Sequence, residues 1–497
     1  MNNLAQNAVF CKRLDWNLTT TAVFSHFEGT PWAILLDSAN ANHTDARFDV
    51  ICAEPVATIV TKADNTTINR SIDRSALFPI NQPYSINSAE QSHSNDDPFS
   101  LVNALINEYY PVQKHSPFMF SGGVMGSFNY DLGRVIESLP QLAENDISLP
   151  EMNLGCYDWA LIFDYQDNSW HLVHYSSNEA LDILAKRLSK LVSNTSSNIE
   201  PFTLTSHWQN QLTEQAYKQK FAQVQEYLLS GDCYQINLTQ RFSAAYQGDE
   251  WQAYMALRET NGAPFSAFIR LEQHALLSIS PERFIQHQNG DVQTKPIKGT
   301  MPRDTDPLND LALAEQLKGS EKDRAENLMI VDLLRNDIGK VAAPGSVTVP
   351  KLFDVESFPA VHHLVSTVTA KLAPKLTPID LLKACFPGGS ITGAPKIRAM
   401  SIIEELEPSR RSLYCGSIGY ISQDGTMDTS ITIRTLVAEQ TNTKLGSETK
   451  AKEQQKTGVI HCWAGGGIVA DSKADAEYQE SFDKVSRILP VLSKLNH

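Results

Sequence analysis

Apolar residues in this chain fall mostly into short runs punctuated by turn-forming residues, the pattern of strands rather than of long helices. In the first half, TAVFSHF, PWAILLD and ALIFDYQ read as strands, and few convincing helices accompany them. The second half opens with a helix: Thr213 is a good N-cap, and Ala216, Tyr217, Phe221, Val224 and Leu228 follow at helical spacing up to Gly231. Strand-like runs come next (YQINLTQRFSA, PFSAFIRL, HALLSISPERFI, DVQTKPIKGT), and a second helix starts near Ser320, with Asp323 as its first-turn acid. VTVPKLFDVES, VHHLVSTVTAKL, CGSIGYISQ, SITIRTLVA and GVIHCWAGGGIVA then precede a last helix near Ala474–Leu492. Many strands, with helices that do not alternate strictly with them, predict an α+β fold and not a doubly wound sheet.

Three polar stretches punctuate the chain. Ser85–Pro98 reads as a surface loop, Glu439–Lys456 as a long hairpin loop, and Ser193–Glu200 as a boundary, dividing residues 1–205 from 206–497. No internal repeat is visible. With 497 residues the chain can bury a large core without staples. Lys+Arg 42 against Asp+Glu 57 leaves a net charge of −15, which argues against nucleic acid as a partner but not against a small anion. No apolar run is long enough for a bilayer, and the N-terminal residues lack the features of a signal peptide, so the expected setting is the cytoplasm, away from membranes. Seven scattered cysteines without C-x-x-C spacing read as buried, inert thiols.

The dense chemistry lies in the second half. Lys298 stands in KPIKGT, where Pro and Gly disfavour a regular ladder; it is either a surface lysine beside a turn or, in a dry pocket, an amine of lowered pKa able to act as nucleophile. Glu282 follows a strand in SPERF. Glu326 shares a helix face with Ile330, Leu333 and Asp337, where a carboxylate needs a cation or metal beside it. Glu477 and Glu480, three apart on the last helix, suit Mg2+, although Glu480 and Lys484 also suit an ordinary i,i+4 pair. Gly388 and Gly393 have Walker spacing, but Ala394 stands where lysine is required, which excludes a P-loop; Lys396 could still add charge beside the turn. Gly465–Gly467 after a strand suit close backbone approach, and Arg434 suits a carboxylate. His362 and His363 point to opposite faces of one strand, so one of them is structural. Together these residues describe a pocket for a small polycarboxylate, with a metal, an arginine and a reactive lysine.

SPERF, PIKGT, DRAENLMIVDLLRND, HHLVSTV, FPGGSITGAPK, GYIS, ITIRT and WAGGGIVADS with AEYQES, in this order over residues 210–490, closely resemble the chorismate-utilising enzymes, and within them the component I chains that form aminodeoxychorismate. LLDS at Leu35–Ser38 and FSGGVMGSFNYD at Phe120–Asp131 resemble the family's N-terminal domain more loosely. The resemblance implies two large, mainly antiparallel sheets packed face to face with helices outside, as in anthranilate synthase component I. It implies Mg2+-dependent amination of chorismate at C4 toward 4-aminobenzoate and folate. By position, Glu326 and Glu480, with Glu477 beside them, would hold Mg2+. Tyr420, Arg434, Gly465 and Gly467 would bind the enolpyruvyl carboxylate, with Ser390 by the ring carboxylate. Glu282 would be the general acid, and His363 would line the reaction centre.

Lys298 separates the relatives, because anthranilate synthases have alanine there and let ammonia attack C2 directly. Gln235 stands where isochorismate and salicylate synthases have the lysine that activates water. No cysteine sits in a G-x-C-x-G elbow, so the resemblance implies a separate glutaminase subunit in a heterodimer. Ser38 and Pro264, Phe265 and Ser266 fall in segments that bind tryptophan in some relatives; a tryptophan site and a packed interface are both open. The competing functions are anthranilate synthase component I and a silent effector-binding subunit, the latter disfavoured by the joint presence of Glu282, Lys298, Glu326 and Glu480.

Overall fold

Successive side chains of a strand point to opposite faces, and in this protein both faces are apolar. Ile34 and Leu35, adjacent in the strand Ile34–Asp37, are both fully buried. Ile34, Val50, Cys52, Ile162 and Ile269 of one sheet meet Val124, Met125, Leu154, Ile285 and Ile418 of a second sheet in one core. The alternate positions Leu35, Ile51, Leu161, Phe268 and Leu277 pack instead with Leu184 and Leu188 of the helix Asn178–Val192 and Trp251 and Tyr254 of the helix Glu250–Asn261. Double-sided burial explains why the strands read as continuous apolar runs without a polar face.

The computed structural model describes residues 7–71, 89–194, 200–357, 361–441 and 456–496; parts of the three polar stretches (85–88, 195–199 and 442–455) lie outside them. The two sheets hold 13 and 12 strands, and every pairing between these strands is antiparallel. The expected architecture, α+β with facing antiparallel sheets and helices outside, is the one observed. Each sheet takes strands from both sides of residue 205: Ser266 pairs with Asp37 in one, and Gly419 with Gly126 in the other.

Both anticipated helix starts are present, with Thr213 capping Glu214–Leu229 and Ser320 capping Glu321–Gly339. Local expectations fail at several places, among them the stretch read as a surface loop, where Ala89–Ser94 forms a strand. TAVFSHF is not a strand: the helix Thr20–Phe24 forms there, because the Thr19 hydroxyl accepts from the Ala22 N–H at 3.2 Å and Thr20, Val23 and Phe24 share a buried helical face. The first half also carries the helices Pro98–Tyr109 and Asn178–Val192, capped by Asp97 and Ser177. Pro307–Gly319 buries only Leu317, so no apolar stripe marked it. The last helix ends at Val485, and a short one, Leu489–Ser493, follows with Pro490 in its first turn. Among the described residues no helix is long and apolar enough to cross a membrane.

Candidate active site

Two links carry the chain from one sheet to the other, side by side. Pro281–Glu282 joins the strand His274–Ser280 to Arg283–Gln288, and residues 432–434 join Met427–Ile431 to Thr435–Gln440. Proline cannot continue a ladder, so Ser280 turns its hydroxyl to the Ile431 carbonyl at 2.6 Å; the Ile431 N–H donates to Glu282 O and the Ile279 N–H to Arg434 O, both at 3.0 Å. Arg434 holds a left-handed backbone, φ 51°, a conformation uncommon for a residue with a side chain. The Glu282 side chain is thereby buried where the sheets meet. Burial pushes its carboxyl up to about 7, against the pull of Lys298, the Ser390 hydroxyl and Lys484.

Lys298 approaches from the strand Ile297–Pro302, whose register against Val361–Lys371 slips between Lys298 and Thr300. Gly299 sits at the slip with φ 78°, and a Cβ there would lie 2.8 Å from the Asp323 carboxyl carbon, which accounts for the glycine after the lysine. Burial lowers the Lys298 amine below the ordinary lysine range, opposed by Glu282, Glu326 and Glu480. Ser390 joins the pair: its hydroxyl donates to Glu282 Oε1 at 3.2 Å, and its carbonyl accepts from Lys298 Nζ at 3.3 Å.

The three carboxylates lie beside this pair. A Cβ on Gly466 would stand 2.8 Å from Glu477 Oε2 and 3.1 Å from Glu480 Oε1, so the glycine leaves a cradle between two carboxylates that any side chain would fill. Glu477 also accepts from Ser472 Oγ at 2.7 Å, and burial raises both its carboxyl and that of Glu326. Each carboxylate on either side has a lysine one turn away: Glu326 lies 3.9 Å from Lys322, and Glu480 lies 2.7 Å from Lys484. Among the described residues no three His, Cys, Asp or Glu side chains converge as a ready cage. Hard carboxylate oxygens around an open cradle fit Mg2+, which takes one or two carboxylates and completes its shell with substrate oxygens and water.

The other expected residues divide. His363 faces the site side: Thr300 Oγ1 lies 2.9 Å from its Nδ1, and burial together with the Arg434 charge pushes its imidazole down to about 4. His362 is the structural histidine, held by Ser357 at 2.8 Å and Asp310 at 3.0 Å. The Arg434 guanidinium forms no hydrogen bond or ion pair among the described residues, so it is available to an anion. A Cβ on Gly467 would lie 2.1 Å from the buried Gln235 amide nitrogen, so this glycine gives Gln235 its place.

Two residues are not brought to the cluster. Lys396 is buried and gives its donors to Asp337 at 2.7 Å, Cys385 O at 3.1 Å and Pro387 O at 3.2 Å, which leaves no donor for a substrate. Tyr420 is buried in the inter-sheet core, against Phe120 at 5.5 Å and opposite Asp428. In the N-terminal segments, Ser38 donates through its N–H and hydroxyl to Asp49 at 2.7 and 2.8 Å, and Ser266 donates to Ala263 O at 2.8 Å. Phe265, next to Pro264, carries the Arg283 guanidinium over its ring at 4.9 Å.

A family model of chorismate binding enzymes matches residues 33–490. The chain belongs to the chorismate binding enzymes. It is 53% identical over 472 residues to aminodeoxychorismate synthase component 1 of Escherichia coli (strain K12), covering 95% of each chain. With anthranilate synthase alpha subunit 2 of Arabidopsis thaliana it shares 35% over 468 residues, 89% of this chain and 73% of that one. Among solved structures, anthranilate synthase component I from Streptococcus pneumoniae TIGR4 is similar with a TM-score of 0.74 and 30% identity, over 90% of this chain and 93% of that chain.

Two residues of this chorismate binding enzyme were not anticipated. Lys484 donates to the Gly465 carbonyl as well as to Glu480, both at 2.7 Å, and its charge reaches Glu282 and Lys298. Tyr414, not Tyr420, stacks parallel to Trp463 at 6.1 Å, two residues before Gly465. The Glu480–Lys484 spacing hinted at the first; no local signal pointed to the second.

Proposed function

We propose that this chain aminates chorismate at C4 with ammonia, giving 4-amino-4-deoxychorismate on the way to 4-aminobenzoate and folate. One observation carries the reading: a half-buried amine of lowered pKa, Lys298, and a buried carboxyl of raised pKa, Glu282, share Ser390 in a chain half identical to aminodeoxychorismate synthase component 1 of Escherichia coli. Their pKa values are displaced in the directions that a nucleophile and an acid require near neutral pH.

The neutral Lys298 amine attacks chorismate C2, the ring double bonds shift, and the C4–O bond breaks. Glu282 gives its proton to that oxygen, which departs as water. Ammonia then forms the C4–N bond, the double bonds shift back, and the C2–N bond to Lys298 breaks, returning the neutral amine; the one proton given up by the new C4 ammonium restores Glu282. Arg434, with no hydrogen-bond or ion-pair partner among the described residues, receives a carboxylate of the substrate, and the backbone at Gly465–Gly467 lies alongside. Ser390 and His363 line the reacting face. Glu477, Glu480 and Glu326 would hold Mg2+, which when bound neutralises and orients the ring carboxylate.

Ammonia requires a source, and every cysteine whose thiol is displaced here is raised by burial, with Cys385, Cys415 and Cys462 at about 12. None is poised as a glutaminase nucleophile. A separate glutaminase subunit docked on this chain completes the enzyme; glutamine-dependent turnover by the isolated chain would sink that part. The lysine step is tested by intact-mass analysis after mixing with chorismate and Mg2+ without ammonium. An adduct of chorismate less water, mapped to Lys298, is expected. Turnover on adding ammonium, with no adduct at any time point, refutes the covalent route.

A further inference from the structure

Ser390 makes both contacts that join Glu282 to Lys298, so its placement matters more than its small side chain suggests. The loop carrying it is gripped one residue further on. Ile391 O accepts from Arg411 Nη1 and from Asn237 Nδ2, each at 2.9 Å, and Thr392 O accepts from the Asn237 N–H at 2.9 Å. Arg411 is 1% exposed. Further donors go to Glu407, Nε to Oε2 at 2.9 Å and Nη2 to Oε1 at 2.7 Å, and Nη2 also reaches Asn237 O at 2.7 Å. Glu407 Oε1 accepts in addition from the N–H and hydroxyl of Thr239, at 2.9 and 2.8 Å, and the Tyr130 ring lies 4.9 Å from the guanidinium.

Four of the five Arg411 donors are thus engaged, and a buried ion pair adds little net stability over apolar packing. Charge-assisted bonds in a fixed plane supply geometry instead. The donors of Arg411 and Asn237 converge on one carbonyl adjacent to the reacting pair, from a strand and a loop that carry neither Glu282 nor Lys298.

We propose that Asn237 and Arg411 are positioning residues for the amination: by clamping the Ile391 carbonyl they orient the Ser390 peptide, so that its hydroxyl meets Glu282 while its carbonyl meets Lys298. The inference rests on the roles given above to Glu282 and Lys298. Neither clamp residue touches either group, and both act through Ser390.

The test is a double-mutant cycle on the full chain with chorismate, Mg2+ and ammonium. Asn237→Ala removes one donor to Ile391 O and leaves the Arg411–Glu407 pair whole. Displacing a reacting group by about 1 Å can lower turnover ~100-fold, so a kcat loss of about 10- to 100-fold is expected. That loss must be smaller in the Ser390→Ala background, because the share of the clamp's effect that runs through the Ser390 hydroxyl is already gone there, while the share that runs through the Ser390 carbonyl remains. A second readout needs no turnover: the rate at which acetic anhydride labels Lys298, followed by peptide mass spectrometry. It must change in Asn237→Ala and stay at the wild-type rate in Ser390→Ala, which keeps the clamped backbone. Arg411→Lys keeps a cation beside Glu407 but gives up the planar donors, and serves if Asn237→Ala does not fold; it must show the same coupling. Additive losses with unchanged Lys298 labelling overturn the clamp and leave Asn237 a stability residue. Failure of the underlying reading is seen separately, as full activity in Lys298→Ala.

Discussion

Replacing Glu282 by glutamine should stabilise the folded chain at alkaline pH while removing its activity. The carboxyl is 8% exposed, and burial raises it from the ordinary 4.5 to about 7. A carboxyl raised on folding binds its proton more tightly in the native state, so between pH 4.5 and 7 the native protein holds more protons than the unfolded one and stability falls as pH rises. At 1.36 kcal/mol per unit, that displacement amounts to about 3 kcal/mol, fully felt above pH 7 and absent below pH 4.5. Glutamine keeps the shape and cannot ionise. Urea unfolding of both proteins at about pH 4.5, 7 and 8.5 gives the difference in stability at each pH, and the titrating groups other than its neighbour Lys298 cancel to first order. The variant should gain about 3 kcal/mol on the wild type between the first and last pH, and lose at least ~100-fold in turnover through loss of the acid. A stability difference that stays flat over this range refutes the buried, high-pKa carboxyl, and with it the reason for giving Glu282 the acid's role.

Lys298→Ala should lose C4 amination by at least ~1000-fold and leak toward anthranilate, read by chromatography of the products; an unchanged yield removes the lysine step. Gly466→Ala puts a Cβ 2.8 Å from Glu477 and 3.1 Å from Glu480, so Mn2+ binding followed by calorimetry with chorismate present should weaken about tenfold or more; unaltered affinity refutes the cradle. Lys396→Met strands Asp337, which is 1% exposed, with only the Lys340 partner at 2.9 Å, and should cost about 3–5 kcal/mol in urea unfolding; a stable variant with a raised KM for chorismate would restore Lys396 as a substrate ligand.

Much of the architecture was legible because its signals are local. Thr213 and Ser320 cap helices where the sequence places them, and the paired-sheet strands are continuous apolar runs. What failed was local structure without an apolar stripe, as at Pro307–Gly319, and an apolar run short enough to suit either period, as at Thr20–Phe24. In the site, Glu282, Lys298 and Ser390, each singled out in a separate motif, contact one another. Lys396 could not be placed from its motif, since its partner Asp337 lies 59 residues away and the burial of both is a tertiary fact. The core neighbours of Tyr420 likewise depend on register against Phe120, which no spacing reveals.

Product identification tests the central claim most directly. The purified chain is mixed with chorismate, Mg2+ and ammonium at alkaline pH, and the products are separated and weighed by mass spectrometry. A product that keeps the enolpyruvyl group and carries an amine in place of the C4 hydroxyl is the predicted result. Anthranilate with released pyruvate would contradict it.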